Sequence, residues 1–203
     1  DLFLSFLPLA HAFERTVGYY LPMMAGACVA YARSIEQLRH DLMVVRPTVL
    51  LSVPRVYDRI YLAIHTKIGG RGLRRWLFET TVAVGWQRFQ ARAGHAPQPG
   101  PLTRLLWSLL WSLLGPRVAR PVMQRLGGRI RVAVSGGAPL SPAVARTFIG
   151  LGLPLTEGYG LTEAAPVVSG DAPEDCIPGS VGRALPGIEV TLSPQGEILV
   201  RAP

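Results

Sequence analysis

Lysine is almost missing from this sequence. Lys67 is the only one among 21 basic side chains, so the remaining 20 are arginine. No G-x-x-x-x-G-K-[ST] segment occurs, which excludes a Walker loop as the means of holding a phosphate. The segment Gly150–Gly152 is not followed by the third glycine of a dinucleotide-binding fingerprint, since Leu155 stands in that place. If the chain binds a nucleotide, it does so through a different binding motif.

Cysteine is also scarce. The two cysteines, Cys28 and Cys176, lie far apart and lack the spacing of a metal site. This usage is typical of a reducing compartment rather than of a disulfide-bonded secreted domain. We interpret both thiols as packing residues rather than nucleophiles, and we predict a cytoplasmic protein.

Acidic residues are few, with 13 Asp and Glu against 21 Lys and Arg, which gives a net charge of +8. Such an excess is typical of proteins that meet nucleic acid, anionic membranes or polyanionic substrates. Nucleic acid is the least favoured partner, because the arginines are scattered and no basic run exceeds Arg74-Arg75. A hydrophobic content of 49% over 203 residues predicts one sizeable core.

Strand-like and helix-like segments alternate along the chain, which predicts an α/β fold with a largely parallel sheet flanked by helices. Pro22 is expected to kink or end the first helix. After about Asp171 we predict a small antiparallel β region, with residues 171–203 as the start of a β-rich subdomain. The predicted strands are Leu2–Leu7, Cys28–Tyr31, Thr48–Val53, Arg129–Val134 and Leu153–Leu155, followed by a hairpin of Ile188–Leu192 and Glu197–Arg201. The predicted helices are Ala12–Ala25, Pro54–Lys67, Leu73–Ala91 and one that ends at about Val44, with a loop at Gly94–Pro101. Ser34 and Gln37 form a capping-box pattern that predicts the start of the helix ending at Val44.

The segment Glu157–Glu163 (EGYGLTE) combines an aromatic ring, two glycines, a hydroxyl and two carboxylates directly after a predicted strand. Glycines let a backbone approach a ligand closely, and the Tyr159 ring can stack on a base. Thr162 can donate to a phosphate, and the Glu163 carboxylate is a ligand that Mg²⁺ prefers. The segment predicts one part of a nucleotide–metal site. The structural alternative is a glycine-rich turn before a helix that begins with Thr162 and Glu163.

A second small-residue loop, Ser135–Leu140 (SGGAPL), follows the predicted strand Arg129–Val134. Ser141 and Pro142 come next and are typical of the N-cap and the first position of a helix. In open α/β sheets, ligands bind outside the carboxyl ends of strands, where loops of this kind lie. We therefore expect this loop to contribute to the same site.

Together these motifs resemble those of the adenylate-forming acyl-CoA synthetases. The segment Leu7–Arg15 (LPLAHAFER) is similar to the signature of their long-chain fatty-acid branch. Two more segments, Gly179–Val190 and Gly196–Arg201, match in order and spacing. The resemblance extends over essentially all 203 residues, and it implies that the chain is a central fragment of an AMP-binding adenylation domain.

The resemblance implies a reaction in two steps. A long-chain fatty acid attacks the α-phosphate of ATP to give acyl-adenylate and pyrophosphate, and the thiol of coenzyme A then displaces AMP. By motif position, the implied catalytic residues are His11, Thr162 and Glu163, with Glu163 as the Mg²⁺ ligand. Without the resemblance, His11 would be interpreted as a histidine at a helix start. The residues implied to bind the nucleotide are Gly136, Gly137, Ala138, Glu157, Gly158, Tyr159, Gly160 and Thr162.

Three groups that such enzymes use are not found in residues 1–203. A lysine-containing loop for the triphosphate is expected before residue 1, and a ribose-binding aspartate and a catalytic lysine are expected after residue 203. We therefore expect the isolated chain to be inactive. Two alternatives stay open: a related adenylating ligase with another acid or a carrier-protein acceptor, and an inactive remnant that binds nucleotide or membrane.

The segment Leu105–Leu114 (LLWSLLWSLL) predicts a helix with one narrow polar stripe. Ten residues are too few to span a bilayer, which needs about 20. Arginines flank the segment, and indoles favour membrane interfaces. One alternative is a helix buried in the parent protein. The other is a lipid-facing or acyl-tunnel element that passes fatty acid from the membrane to the site, and it predicts peripheral contact with the inner face of a membrane.

Overall fold

A computed structural model describes residues 1–70, 72–164 and 166–202 of the chain. Most of its strands lie within or beside the predicted ones. They are β1 (Leu2–Ser5), β2 (Cys28–Tyr31), β3 (Val49–Ser52), β4 (Val132–Ser135), β5 (Leu155–Gly160), β6 (Val167–Gly170), β7 (Arg183–Ala184), β8 (Glu189–Leu192) and β9 (Ile198–Arg201).

Helices connect the strands of the parallel part of the fold. Proline is the first residue of three of them, where its missing N–H removes no helical hydrogen bond. The helices are α1 (Leu21–Met24), α2 (Leu38–Val45), α3 (Pro54–Ile68), α4 (Leu73–Arg92), α5 (Pro101–Arg125) and α6 (Pro142–Gly150), with a π-helix at Glu14–Tyr20 and a 3₁₀ turn at Thr162–Ala164. Within the described ranges, none of these helices has both the length and the apolar content required to cross a bilayer.

Seven strands of the described residues form one sheet in the order β2-β1-β3-β4-β5-β6-β7. The first five run parallel, whereas β6 and β7 are added antiparallel. Strands β8 and β9 form a separate antiparallel pair. The predicted α/β class, with a largely parallel sheet and a small antiparallel region towards the C-terminal end, is confirmed. Antiparallel pairing begins at Val167, before the predicted Asp171, because the chain turns back after β5 through a 3₁₀ turn instead of a crossover helix.

Apolar clusters cover both faces of the sheet. Alternate side chains along each strand point to opposite faces and so belong to different clusters. Leu4, Leu50 and Leu155 belong to the main core cluster, which contains residues of α2, α3 and α6 such as Tyr57 and Phe148. The alternate positions Phe3, Val49 and Leu51 form a smaller cluster, against which Phe13 and Val17 pack. The larger helical layer therefore lies on one face, and the segment around the π-helix lies on the other.

The predicted helix Ala12–Ala25 is present, but its middle is a π-helix. Pro22 lies in the first turn of α1, and the helix ends at Met24, near the predicted end. Gly18 faces the carboxyl of Glu14 so closely that a Cβ at this position would lie 2.6 Å from the carboxyl carbon. A side chain at this position would displace the buried carboxyl of Glu14.

Two predicted helix caps differ in outcome. Ser34 accepts a 3.2 Å hydrogen bond from the backbone N–H of Gln37, although α2 begins only at Leu38. Ser141 occupies the N-cap position of α6, but its hydroxyl makes no capping hydrogen bond. The predicted positions of Ser141 as N-cap and of Pro142 as the first helical residue are confirmed, and Pro142 leaves one fewer N–H to be satisfied.

Three helices, α3, α4 and α5, lie between β3 and β4 in the sequence. Helix α4 packs against α6 at Gly85, where a Cβ would lie 1.8 Å from the carbonyl oxygen of Gly150. Helix α5 begins at Pro101, where the predicted loop was to end, and it runs on through two internal prolines. Its outward face is a leucine ridge, which comprises Leu102, Leu105, Leu106, Leu109 and Leu113, each more than half exposed.

Candidate active site

The glycine loop Ser135–Leu140 leaves the carboxyl end of β4 beside the end of β3. The N–H of Gly136 donates to the carbonyl oxygen of Ser52 over 3.0 Å. Gly137 has a φ of 81°, a left-handed conformation that favours glycine. A Cβ on Gly136 would lie 3.1 Å from the ring of Phe13. The glycines therefore permit both the turn and the close approach of the segment that carries His11.

The Glu157 side chain hydrogen-bonds both the glycine loop and the segment at Gly179. It pairs with Ser135 in the β4–β5 register. Its Oε2 accepts a hydrogen bond from the N–H of Leu140, and its Oε1 accepts one from the N–H of Gly179, both over 3.2 Å. The carboxylate therefore bridges two loops, with its oxygens directed at backbone donors. Its charge stabilises both loops through charge-assisted hydrogen bonds.

The glycines of EGYGLTE lie in strand β5 rather than in a turn. The predicted strand Leu153–Leu155 was wrong in its bounds, because β4 on one side and β6 on the other provide partners as far as Gly160. A Cβ on Gly160 would lie 1.7 Å from the carbonyl oxygen of Pro166, so only glycine fits. The half-buried Tyr159 pairs with Ser169, and the ladder shifts register directly after Tyr159.

Thr162 and Glu163 lie in the short 3₁₀ turn that follows β5, and both are exposed. This outcome differs from the structural alternative, in which they would begin a full helix. Among the ion pairs of the described residues, none involves Glu163, so its carboxylate is available to a cation. The described part of the chain contains no cluster of three His, Cys, Asp or Glu side chains with metal-site geometry. Glu163 fits a Mg²⁺ that takes one carboxylate and completes its shell with phosphate oxygens and water.

His11 lies in the loop between β1 and the π-helix and is exposed. Its Nδ1 accepts a hydrogen bond from the N–H of Phe13 over 3.3 Å, so in the neutral ring the proton is on Nε2. Phe13 in turn contacts Gly136. The structure thus brings the histidine loop and the glycine loop together at the carboxyl edge of the sheet.

Two residues of this region were missed in the sequence. Glu14 is 1% exposed and accepts a hydrogen bond from the Ser5 hydroxyl, and Ser135 has a buried Oγ without a hydrogen-bond partner among the described residues. Both lie inside the motifs LPLAHAFER and SGGAPL, so the signal was present. Nothing in either motif indicated that these two polar groups would be buried.

Cys176 is buried, and its Sγ lies 3.5 Å from the carbonyl oxygen of Leu155. Burial raises the pKa of the Cys176 thiol to about 11, and the charges of Asp171 and Glu157 add to the effect. Only the thiolate is a strong nucleophile, so this cysteine is protonated at neutral pH and acts as a packing residue. Cys28 is exposed and also free.

Comparisons with known proteins identify the family of the chain. The family model for "AMP-binding enzyme" matches residues 1–203. The chain is 35% identical over 199 residues to the long-chain-fatty-acid–CoA ligase FadD15 of Mycobacterium bovis, a match that covers 98% of this chain and 32% of that protein. It is 36% identical over 221 residues to the peroxisomal long chain acyl-CoA synthetase 6 of Arabidopsis thaliana, covering 100% of this chain and 29% of that protein. The chain thus spans about a third of the length of these curated relatives.

A solved structure supports the fold. The crystal structure of a long-chain-fatty-acid-CoA ligase (FadD1) from Archaeoglobus fulgidus superimposes with a TM-score of 0.61 at 16% sequence identity. The superposition covers 100% of this chain and 34% of that one. At this level of identity the match establishes a shared architecture.

Proposed function

The chain belongs to the AMP-binding enzyme family, and from this we propose that it is part of an AMP-forming long-chain fatty acid–CoA ligase. The parent protein would join a fatty carboxylate to the α-phosphate of ATP, release pyrophosphate, and transfer the acyl group to coenzyme A. The observation that carries the proposal is the meeting of the His11 loop, the glycine loop and the EGYGLTE strand at one edge of the sheet. The glycine loop and EGYGLTE carry motifs that resemble those of the adenylate-forming acyl-CoA synthetases, and the His11 loop carries the segment similar to the signature of their long-chain branch.

In this proposal, the ligand lies outside the carboxyl ends of β4 and β5. The Tyr159 ring lies against adenine, and the open backbone of the glycines lets the nucleotide approach. The exposed hydroxyl of Thr162 donates to phosphate, and His11 lies near the reacting carboxylate with its Nε2–H as the donor. The nucleotide-binding set is Gly136, Gly137, Ala138, Glu157, Gly158, Tyr159, Gly160 and Thr162.

Charge neutralisation is the main chemical demand of the first step, since two anions must meet. A Mg²⁺ bound at Glu163 would neutralise phosphate charge. Glu157 has a different part in the same site: its carboxylate holds the glycine loop at Leu140 and the segment at Gly179. Glu157 therefore orders the loops that surround the ligand, and Glu163 is the carboxylate that would bind the metal.

We propose that residues 1–203 form part of an adenylation domain and that residues 171–203 begin a β-rich subdomain. The separate pairing of β8 with β9 supports this division. The triphosphate loop, the ribose-binding aspartate and the catalytic lysine that the family resemblance implies are not among residues 1–203. The isolated chain is therefore proposed to be inactive in acyl-CoA synthesis, although it retains part of the adenine pocket.

Peripheral membrane contact of a cytoplasmic parent protein is proposed from helix α5. The leucine ridge of α5 faces away from the core and exposes contiguous apolar area, which water disfavours. Arg117 and Arg120 follow the ridge along the same helix, where they would meet anionic headgroups. Fatty acids partition into membranes, so a ligase that docks by this ridge would draw substrate from the inner face of the bilayer.

Two alternatives differ from this function in testable ways. A related ligase would activate another acid or pass the acyl group to a carrier-protein thiol, with the same adenylation step. An inactive remnant would bind nucleotide or membrane without turnover.

The experiment uses the parent protein in full. ATP–pyrophosphate exchange is measured with palmitate, a short fatty acid and an aromatic acid, and product formation is then measured with coenzyme A or a phosphopantetheinylated carrier protein. We expect palmitate-dependent exchange and palmitoyl-CoA. Exchange only with another acid, or transfer only to the carrier protein, would establish the related ligase, and absence of all exchange would establish the remnant.

A further inference from the structure

Two adjoining cavities on the helical side of the fold share a pair of arginines. The first, of about 240 Å³, is lined by Gly85, Arg88, Arg92 and Trp111 and reaches the segment Leu153–Leu155. The second, of about 410 Å³, is also lined by Arg88 and Arg92 and adds Arg104 and Trp107 of α5. No Asp or Glu side chain of the described residues lines either cavity.

Arg88 is held in an unusual environment for a cation. Its guanidinium carbon lies 5.1 Å from the centroid of the Trp111 ring, which stabilises the cation by a cation–π contact. Its Nη1 is buried and has no hydrogen-bond partner in the described part of the chain. Burial lowers the pKa of Arg88, and the neighbouring charge of Arg92 lowers it further. A buried N–H donor and a second cation one turn away together favour an anion between them.

The arginines around the two cavities form no ion pair with a carboxylate in the described part of the chain. None of the ion pairs in residues 1–70, 72–164 and 166–202 includes Arg88, Arg92 or Arg104. The guanidinium of Arg104 donates instead to the neutral side chain of Gln98 over 2.9 Å. Three positive side chains thus line the two cavities without a carboxylate. Arg92 and Arg104 are exposed, whereas Arg88 is partly buried and its Nη1 has no hydrogen-bond partner among the described residues, so an anion here would satisfy Arg88 first.

We propose that these cavities form a binding site for a phosphate ester, with Arg88 and Arg92 as the principal ligands and Arg104 as a third. A phosphate group has several oxygens directed away from one centre, so it can accept forked hydrogen bonds from two or three guanidinium groups at once. The indoles of Trp107 and Trp111 provide the apolar wall against which the rest of the ligand lies. The site is separate from the nucleotide site, because Leu155 begins β5 whereas Gly160 ends it.

The same chemistry could come from a soluble phosphate ester or from the headgroup of a phospholipid. Helix α5 contributes Arg104 and the two tryptophans to the cavities and also carries the leucine ridge. A headgroup bound here would therefore lie beside an apolar surface on the same helix. The inference does not depend on the proposed ligase activity, since it concerns binding alone.

The test uses the full-length parent protein and three variants: Arg88→Gln, Arg92→Gln and, as the matched control, Arg74→Gln. Arg74 is an exposed arginine of the same helix, so its replacement removes the same charge away from the cavities. Binding is measured to sn-glycerol 3-phosphate in solution, and to vesicles of phosphatidylglycerol and of phosphatidylcholine. Circular dichroism and the thermal unfolding midpoint confirm that each variant is folded, and Arg92→Gln carries the test if Arg88→Gln fails to fold.

Loss of a forked, charge-assisted contact is expected to weaken binding about tenfold in Arg88→Gln and Arg92→Gln, with less than about a twofold change in Arg74→Gln. If the loss is seen with glycerol phosphate, the ligand class is a soluble phosphate ester. If it is seen only with phosphatidylglycerol vesicles, the ligand is a headgroup. Equal affinities of all three variants for every probe, or equal losses in all three, would overturn the proposal.

Discussion

Ser5 and Glu14 are joined by a buried hydrogen bond of 2.5 Å, in which the serine hydroxyl donates to Oε1 of the carboxyl. Ser5 ends β1 and Glu14 begins the π-helix, so the bond closes the loop Phe6–Phe13 that carries His11. The second carboxyl oxygen, Oε2, is buried without a hydrogen-bond partner among the described residues. Burial raises the pKa of Glu14 above its ordinary value of 4.5, against the opposing effect of the Ser5 bond.

The first prediction concerns the pH dependence of stability at Glu14. Because the folded state binds this proton more tightly than the unfolded state does, the free energy of unfolding should decrease as pH rises from 4.5 through the raised pKa. Glu14→Gln keeps an oxygen acceptor for Ser5 and removes the charge. Urea unfolding between pH 4.5 and 7.5 should therefore give a flatter dependence in the variant and higher stability near pH 7.

Glu79→Gln is the control for this prediction, because Glu79 is exposed and pairs with Arg75 on the surface of α4. The free energy of unfolding of Glu79→Gln should depend on pH between 4.5 and 7.5 as that of the wild type does. If Glu14→Gln also retained the wild-type slope, Glu14 would not hold its proton more tightly in the folded state.

The second prediction tests the close approach at the end of β5. Gly160→Ala would place a Cβ 1.7 Å from the carbonyl oxygen of Pro166, so β5 and β6 must separate. We expect a loss of about 2 kcal/mol or more in the free energy of unfolding, as for other forced overlaps. Gly170→Ala is the matched control: it lies in β6, and a Cβ there meets nothing within 4 Å. A similar small loss in both variants would contradict the steric argument.

The third prediction tests the bridge made by Glu157. Glu157→Ala removes the acceptor of the Leu140 and Gly179 N–H groups, and the glycine loop should lose its fixed position. We expect the KM for ATP in pyrophosphate exchange to rise about tenfold or more, with a smaller rise in Glu157→Gln, which keeps one oxygen. Glu197→Ala, at an exposed position, is the control. An unchanged KM in Glu157→Ala would show that the loop is ordered by other contacts.

The fourth prediction concerns the metal. Glu163→Gln keeps the size of the side chain and removes its charge, so the loss should be catalytic rather than structural. Palmitate-dependent exchange should fall severely, and part of the loss should be recovered at high Mg²⁺ concentration. Glu174→Gln, also exposed, should leave exchange unchanged. Full exchange in a folded Glu163→Gln variant would remove Glu163 from the metal site.

The fifth prediction separates the ring of Tyr159 from its hydroxyl. If the ring stacks on adenine, Tyr159→Ala should weaken ATP binding by about 1 kcal/mol, whereas Tyr159→Phe should retain most of the affinity. Equilibrium binding of ATP to the parent protein measures both. Equal affinities of wild type and Tyr159→Ala would make Tyr159 a packing residue of the β5–β6 pair.

Much of this fold could be predicted because hydrophobic runs bounded by proline and glycine are local signals. Pro54 and Pro142 each begin a helix where expected. The bounds of β5 could not be predicted, because glycines are poor strand formers and here depend on two neighbouring strands. The two site motifs could be identified in the sequence because their residue types are those of a nucleotide site. The burial of Glu14 and the two hydrogen bonds of Glu157 were not, since they depend on partners far along the chain.

The position of α3–α5 between two neighbouring strands has a consequence for chain entropy. Strand β3 pairs directly with β4, so Val49 lies opposite Val132. The chain between these two strands contains three helices, and its two ends must come together before the centre of the sheet can form. Closing a flexible loop of roughly 80 residues costs about 4 kcal/mol by logarithmic scaling. Helices α3, α4 and α5 reduce that cost if they dock first through Ile64, Phe78 and Ala119. The helical layer would then act as a folding nucleus that draws the two halves of the sheet together.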